Sequence, residues 1–347
     1  MLDDLKLIHH RDGQDALGIA EKQYRQLELQ FELESLSGPF RNVVVAGMGG
    51  SALAAQLLYA GLPPRLPVII CRGYNLPGFA GPETLFIASS YSGNTEETLS
   101  ALAEAEERKA VIAAVTAGGR LAEIARQKRY VLADMPAGLQ PRHATLAGFK
   151  ALATILIKAG LADEEPVDRQ LREAADFLRK AVEWWRPDVP TEHNHPKQIA
   201  LELAGKSVVL YAGPQMSAAA YKWKISLNEN AKNIAWWNQL PEFNHNEFIG
   251  WSSHPEQKPY TVINLRSGFE HERVQKRFEL TERLLSGCMP APINIEGQGE
   301  NVLQQLLWHV AFGDFASIYL AVLNGLDPTP VDLIERFKKE LGSQAVD

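Results

Sequence analysis

Asn42-Val43-Val44-Val45-Ala46-Gly47-Met48-Gly49-Gly50-Ser51 is an apolar run that ends in a glycine-rich turn bearing a hydroxyl. It reads as a strand feeding a helix. Such a junction leaves unpaired backbone N–H groups at the positive end of the helix dipole, which makes it a natural phosphate cradle. The arrangement recurs at Thr84-Leu85-Phe86-Ile87-Ala88, which runs into Ser89-Ser90-Tyr91-Ser92-Gly93-Asn94-Thr95. Two such loops, carrying the five hydroxyls of Ser51, Ser89, Ser90, Ser92 and Thr95, point to one anion gripped from two sides.

Outward from these loops the periodicity alternates strand and helix. It predicts strands at 42–47, 67–71, 84–89, 110–116 and 129–133, with helices at 51–60, 95–107, 119–127 and 144–159. Strands separated by helices imply right-handed crossovers and a parallel sheet. In the flavodoxin-like order 2-1-3-4-5 the loops after the first and third strands meet at the switch point, and these are the two loops quoted. An amphipathic lead-in helix is expected over 14–36. A charged helix at 165–186 leads to a linker from Pro187 to Pro196.

The pattern then restarts. Val208-Val209-Leu210-Tyr211-Ala212-Gly213-Pro214-Gln215-Met216-Ser217-Ala218 echoes 43–52, with Gly213 lying 166 residues beyond Gly47. Further strands are expected at 260–265 and 291–295, and helices near 215–231, 270–286, 301–323 and 330–341. The fold class is therefore α/β, with two flavodoxin-like doubly wound parallel-sheet domains. The expected boundaries are 1–160 for the first with its lead-in helix, 161–197 for a helical linker and 198–347 for the second.

Composition narrows the function. The 347 residues, 46% apolar and 22% charged, suit a soluble globular chain with two full cores. Two distant cysteines, Cys71 and Cys288, fit a reducing compartment, and the charged start Met1-Leu2-Asp3-Asp4 has no signal-peptide core, so a cytoplasmic location is expected. Lys150 and Asp314 interrupt the best apolar runs, which argues against a membrane span. A net charge of −7 disfavours nucleic acid as a partner but not a small phosphorylated ligand.

Gly47-x-Gly49-x-x-Ala52 also fits a dinucleotide fingerprint, which wants an acidic residue at the end of the second strand. Arg72 stands there instead, so an NADP-dependent reductase remains open on that motif alone. The Ser/Thr-rich second loop favours the three oxygens of a phosphate monoester. In the later half, Glu229 sits within Asn228-Glu229-Asn230-Ala231-Lys232, and His245 lies sixteen residues beyond. Carboxylate and imidazole together supply proton transfer beside a carbonyl. Asn on both sides of Glu229 is unusual for an exposed helix face and suggests polar side chains lining a pocket.

Gly47-Met48-Gly49-Gly50-Ser51, Ser90 to Thr98, Pro141-Arg142, Asn228 to Lys232 and His245-Asn246-Glu247 together resemble the bifunctional phosphoglucose/phosphomannose isomerase family, which has two sugar isomerase (SIS) domains. The resemblance implies reversible conversion of glucose 6-phosphate, and of mannose 6-phosphate, to fructose 6-phosphate without a cofactor. Gly49, Gly50, Ser51, Ser90, Ser92 and Thr95 would bind the phosphate. Glu229 would move a proton between C2 and C1 through a cis-enediol. Arg142 would stabilise the enediolate, and His245 would assist ring opening in the neighbouring subunit of a homodimer. A C-terminal lysine completes the set, Lys338 being preferred over Lys339, and Thr329 is a candidate determinant of epimer choice. A non-catalytic sugar-phosphate sensor is a rival, although residues 1–40 carry no basic helix-turn-helix pattern. His9-His10 and His193-x-His195 lack the spacing of a metal site, and no metal is expected.

Overall fold

The computed structural model describes residues 1–253 and 257–342. The chain opens with two short helices, α1 (Leu5–Arg11) and α2 (Ala16–Glu21), and a 3-10 turn at Gln23–Glu28, in place of the single helix expected over 14–36. The interruption has local causes. Asp15 adopts φ 55°, and the buried Asp12 carboxylate accepts from Ala16 N at 2.7 Å and Leu17 N at 2.9 Å, bonds that compete with a continuous helix.

The first sheet follows as β1 (Asn42–Ala46), α3 (Gly49–Gly61), β2 (Val68–Cys71), β3 (Thr84–Ser89), α4 (Glu96–Glu107), β4 (Val111–Thr116), α5 (Gly119–Lys128), β5 (Val131–Asp134) and α6 (Thr145–Lys158). All neighbours are parallel, in the order β2-β1-β3-β4-β5. Every residue of the central strand β3 is buried, as a sheet covered on both faces requires.

Helix α7 (Glu164–Val182) forms where the charged helix was expected at 165–186, and a 3-10 turn, Glu183–Trp185, ends it. Helix α8 (His195–Leu203) starts inside the expected linker. Pro196 occupies its first turn, where the missing N–H costs nothing, and Asn194 caps it by accepting from Lys197 N at 3.1 Å. The second sheet comprises β6 (Ser207–Ala212), α9 (Ser217–Glu229), β7 (Ala235–Gln239), α10 (Glu247–Gly250), β8 (Tyr260–Arg266), α11 (Glu272–Leu284) and β9 (Ile293–Glu296), followed by α12 (Val302–Leu323) and α13 (Asp332–Leu341). Its parallel order, β7-β6-β8-β9, repeats the first four positions of the first sheet.

The chain groups into two units whose boundaries differ from the expected 1–160, 161–197 and 198–347. Met1–Lys22 joins Asp176–Pro330, and Gln23–Ala175 joins the residues from Val331 onward; the last residues, 343–347, lie outside the described ones. The lead-in helices thus belong with the second sheet and α13 with the first.

Helix α12 is long and apolar enough to cross a membrane, yet Leu303 to Val322 are buried, packed on α2, α8 and α9. Trp223 of α9 stacks on Phe312 with centroids 5.7 Å apart, and Trp185 meets Trp308, Phe312 and Phe315 edge-on. These rings are core, whereas Trp184 and Trp236 are exposed.

Candidate active site

Both hydroxyl loops lie at the carboxyl edge of the first sheet, and the structure joins them. Gly47 N donates to Cys71 O, and a Cβ on Gly47 would lie 2.8 Å from Ser89 O, so only glycine lets the first loop approach the end of β3. Gly49 adopts φ +49° with open space beside it. Ser51 Oγ accepts from Tyr91 N at 3.3 Å, which ties the first loop to the second. Gly93, at φ +70°, packs so closely on Gly118 that a Cβ would lie 1.8 Å from its carbonyl oxygen.

The hydroxyls do more than end a helix. Thr95 stands at the N-cap of α4 but its side chain makes no cap bond; its Oγ1 instead pairs with Ser90 Oγ at 2.8 Å. Asn94 Oδ1 accepts from Arg120 N at 3.0 Å and so serves the start of α5. Ser90 is buried, and its Oγ also accepts from Gly93 N at 3.1 Å. Ser51 and Thr95 are half-buried and Ser92 is exposed, so these three hydroxyls keep access to solvent.

Arg142 joins the same edge. It lies in a 3-10 turn, Pro141–His143, and is 1% exposed. A Cβ on Gly50 would lie 2.7 Å from Pro141 O, so the arginine turn rests directly on the first glycine loop. Two residues absent from the sequence expectations hold this arm. Tyr91 Oη donates to Pro136 O at 2.8 Å and accepts from Leu139 N at 2.9 Å, and burial pushes its phenol up. Gln26 donates through Nε2 to His143 O at 2.6 Å and accepts from Ala147 N at 2.9 Å. His143 is buried in this turn.

Glu229 is the last residue of α9, half-buried at the amino edge of the second sheet. Its flanking asparagines hold the helix end. Asn228 Nδ2 donates to Asn233 O at 2.8 Å, and the buried Asn230 donates to Ser317 Oγ at 2.9 Å. Lys232, at φ +50°, turns the chain and donates to Asp327 O at 2.7 Å and Pro328 O at 3.3 Å. That clamp brings the buried Thr329 to the turn that follows Glu229.

His245 lies elsewhere. It ends a 3-10 turn after β7, at the carboxyl edge of the second sheet, where Leu240 N donates to Ala212 O. It is exposed. Its loop is anchored by Glu247, which accepts from Asn238 Nδ2 at 2.7 Å and from Tyr211 Oη, with Trp251 Nε1 donating to that phenol at 2.9 Å. Glu229 and His245 therefore sit at opposite ends of α9, whose thirteen residues span about 20 Å. One chain does not bring this carboxylate and imidazole together.

Lys338 is on α13, an amphipathic helix with no buried residue, and forms a solvent-exposed ion pair with Glu335 at 2.8 Å. Lys339 is exposed on the same helix, and Arg72 is exposed at the end of β2. Among the described residues no group of three His, Cys, Asp or Glu side chains could hold a metal ion. His195 packs edge-on to Phe312, where desolvation pulls its pKa down.

Comparison with known proteins places this architecture. The profile of the bacterial phospho-glucose isomerase C-terminal SIS domain matches residues 192–341. The bifunctional phosphoglucose/phosphomannose isomerase of Caldicellulosiruptor bescii is 38% identical over 304 residues, covering 86% of this chain and 89% of the relative. The protein of the same name from Aquifex aeolicus is 33% identical over 330 residues, covering 94% and 98%. The crystal structure of a glucose-6-phosphate isomerase like protein from Thermus thermophilus superposes with a TM-score of 0.66 at 18% identity, covering 97% of this chain and 98% of that one, a likeness of fold. Near-complete coverage at this identity decides the assignment: the chain belongs to the bifunctional phosphoglucose/phosphomannose isomerase family.

Proposed function

We propose that this isomerase interconverts hexose 6-phosphates, taking glucose 6-phosphate and mannose 6-phosphate reversibly to fructose 6-phosphate. The observation that carries the reading is the joined carboxyl edge of the first sheet, where two hydroxyl loops and a buried arginine turn meet. The 6-phosphate is held by the amides of Gly49 and Gly50 and the hydroxyls of Ser51, Ser92 and Thr95, with Ser90 fixing Thr95 from behind. This anchors the end of the sugar that does not react.

Glu229 is the base. In the open-chain aldose its carboxylate takes the C2 proton, the C2 electron pair forms the C1–C2 double bond, and O1 gains a proton to give the cis-enediol. Return of a proton to C1 and loss of the O2 proton yield the ketose. No electron leaves the substrate, so the step needs no redox partner. The guanidinium of Arg142 stabilises the charge that develops on the enediolate oxygens. Lys338 and Thr329 are placed by family resemblance alone, as the C-terminal lysine of the site and a determinant of epimer choice. Because Glu229 and His245 lie at opposite ends of α9, ring opening by His245 serves the site of a second copy in a homodimer.

The test is a coupled assay for fructose 6-phosphate, run in EDTA with no nucleotide. Turnover of an aldose 6-phosphate is expected, with Glu229→Gln losing roughly 10²–10⁴-fold in kcat while phosphate-sugar binding persists. No turnover with either aldose would sink the function, and a Glu229→Gln enzyme near full activity would sink the base. Mixed and exchanged Glu229→Gln and His245→Ala chains should regain part of the lost activity. Failure with verified exchange would count against the shared site.

A further inference from the structure

The second sheet carries the same strand, turn and helix as the first, but its switch point is filled from within. With Gly213 set on Gly47, Gln215, Met216 and Ser217 fall on Gly49, Gly50 and Ser51. The strand registers extend the match. Ala46 pairs with Ala88 and Ala212 with Leu265, so the loop that begins at Ser90 corresponds to the loop that begins at Ser267. In the first loop the residues beyond Ser90 include Ser92 and Thr95. In the second, Glu270 folds back across the turn. It is 6% exposed, and its Oε1 accepts from Gln215 N at 2.9 Å and Met216 N at 3.3 Å. A Cβ on Gly213 would lie 2.3 Å from the Glu270 carboxyl carbon, so the glycine leaves the space that this carboxylate occupies. Its counterpart Gly47 faces backbone instead, where a Cβ would lie 2.8 Å from Ser89 O, and beside Gly49, the counterpart of Gln215, the space is open.

We infer that Glu270 is a built-in occupant, whose carboxyl oxygen takes on the second switch point the place that a ligand phosphate oxygen takes on the first. The physical equivalence lies in the acceptor, since a carboxyl and a phosphate each offer an oxygen to the amides at the start of a helix. The chain consequently presents one phosphate cradle, although its duplicated fold supplies the backbone for two. The inference rests on Gly49 and Gly50 as the phosphate contacts of the first loop.

Equilibrium dialysis of radiolabelled inorganic phosphate against the full-length protein tests it. The wild type should bind one phosphate per chain, and Glu270→Ala should bind one more at the vacated amides. Glu270→Gln keeps a carbonyl oxygen on those amides and fills the same space, so its stoichiometry should match the wild type. Glu270→Ser leaves a small hydroxyl of the kind the first loop carries, and should also gain the second phosphate even where the alanine variant folds poorly. One phosphate per chain in wild type, Ala and Ser variants alike overturns the inference and leaves the first anchor intact. None in the wild type and one in the Ala and Ser variants overturns the first anchor and supports Glu270 as the resident occupant.

Discussion

Helix α9 is locked to α12 by a charge that has no access to water, and cutting that lock has a calculable effect. Lys222 is 1% exposed and Asp314 is 3% exposed; the ammonium donates to the Asp314 carboxylate and to Ser226 Oγ at 2.7 Å, while Ser226 donates to the same carboxylate at 2.7 Å. In Asp314→Asn the ammonium keeps its burial and loses its counter-charge. Removing one partner of a buried pair costs roughly 3–5 kcal/mol, because the surviving charge is uncompensated in a medium of low dielectric. Against a typical domain stability of roughly 5–15 kcal/mol that is about a fifth of the margin or more. Lys222→Met leaves the carboxylate with Ser226 alone and should cost a similar amount. The double variant Lys222→Met/Asp314→Leu removes both charges and leaves apolar side chains in an apolar core, so its cost should fall well below the sum of the two single variants. Urea denaturation of the wild type, both single variants and the double closes the cycle, and the coupling should be about 2 kcal/mol or more. Additive costs would refute the reasoning, since they would mean that neither charge depends on the other.

Tyr91→Phe removes the phenol that bridges Pro136 O and Leu139 N while leaving the backbone link to Ser51 in place. The arginine arm should loosen while the phosphate stays bound, so kcat should fall roughly tenfold to a hundredfold with KM nearly unchanged. A rise in KM at constant kcat would place Tyr91 with the phosphate instead. Burial raises the Glu270 carboxyl from 4.5 to about 7, against the pull of two amides. The folded state therefore holds this proton more tightly than the unfolded chain, and its stabilising effect is complete below about pH 4.5 and withdrawn as pH rises through about 7. At ~1.4 kcal/mol per pH unit, denaturation should show the wild type losing about 3 kcal/mol relative to Glu270→Gln between these limits. Parallel stability curves for the two proteins would contradict that assignment.

The first sheet was legible because its signals are local and mutually consistent. Each strand is a short apolar run, and Gly47, Gly49 and Gly93 mark turns that a side chain could not make. Strand β7 was not legible. Ala235-Trp236-Trp237-Asn238-Gln239 forms an edge strand with Trp236 half in solvent, so it has neither the alternation nor the apolar run of a buried strand. Helix α8 hid behind Pro196, which reads as a break unless its place in the first turn is known. The lead-in region failed for a different reason. Gln26 and Leu27 carry a helical pattern, but Gln26 spends its amide on His143 and Ala147, bonds to residues more than a hundred positions away that no window of sequence contains. The same limit governs the site. The loop hydroxyls announce themselves by spacing, whereas the support of Arg142 by Tyr91 and Gln26 exists only once β5 and α6 have folded around it. Asn228 and Asn230 were expected to line a pocket, and their amides instead hold the end of the helix that bears Glu229.

That last difference bears on catalysis. A base that moves a proton between adjacent carbons must hold its place closely, because small misplacements cost large factors in rate. Glu229 sits on the final turn of a helix, the part that normally frays. Here the fraying end is tied at three points, by Asn228 to Asn233, by Asn230 to Ser317 and by Lys232 to the carbonyls of Asp327 and Pro328. Midway, Lys222 and Ser226 fasten the helix to Asp314, and at its start Glu270 occupies the amides of Gln215 and Met216. Two of these ties, Asn230 to Ser317 and Lys222 with Ser226 to Asp314, satisfy polar groups that burial would otherwise penalise, so they fix the helix at no separate energetic demand. The first copy of the strand, turn and helix leaves its amides open for a ligand. The second closes its amides on the Glu270 carboxyl, and the far end of its helix holds Glu229, the proposed base, between the ties of Asn228 and Asn230.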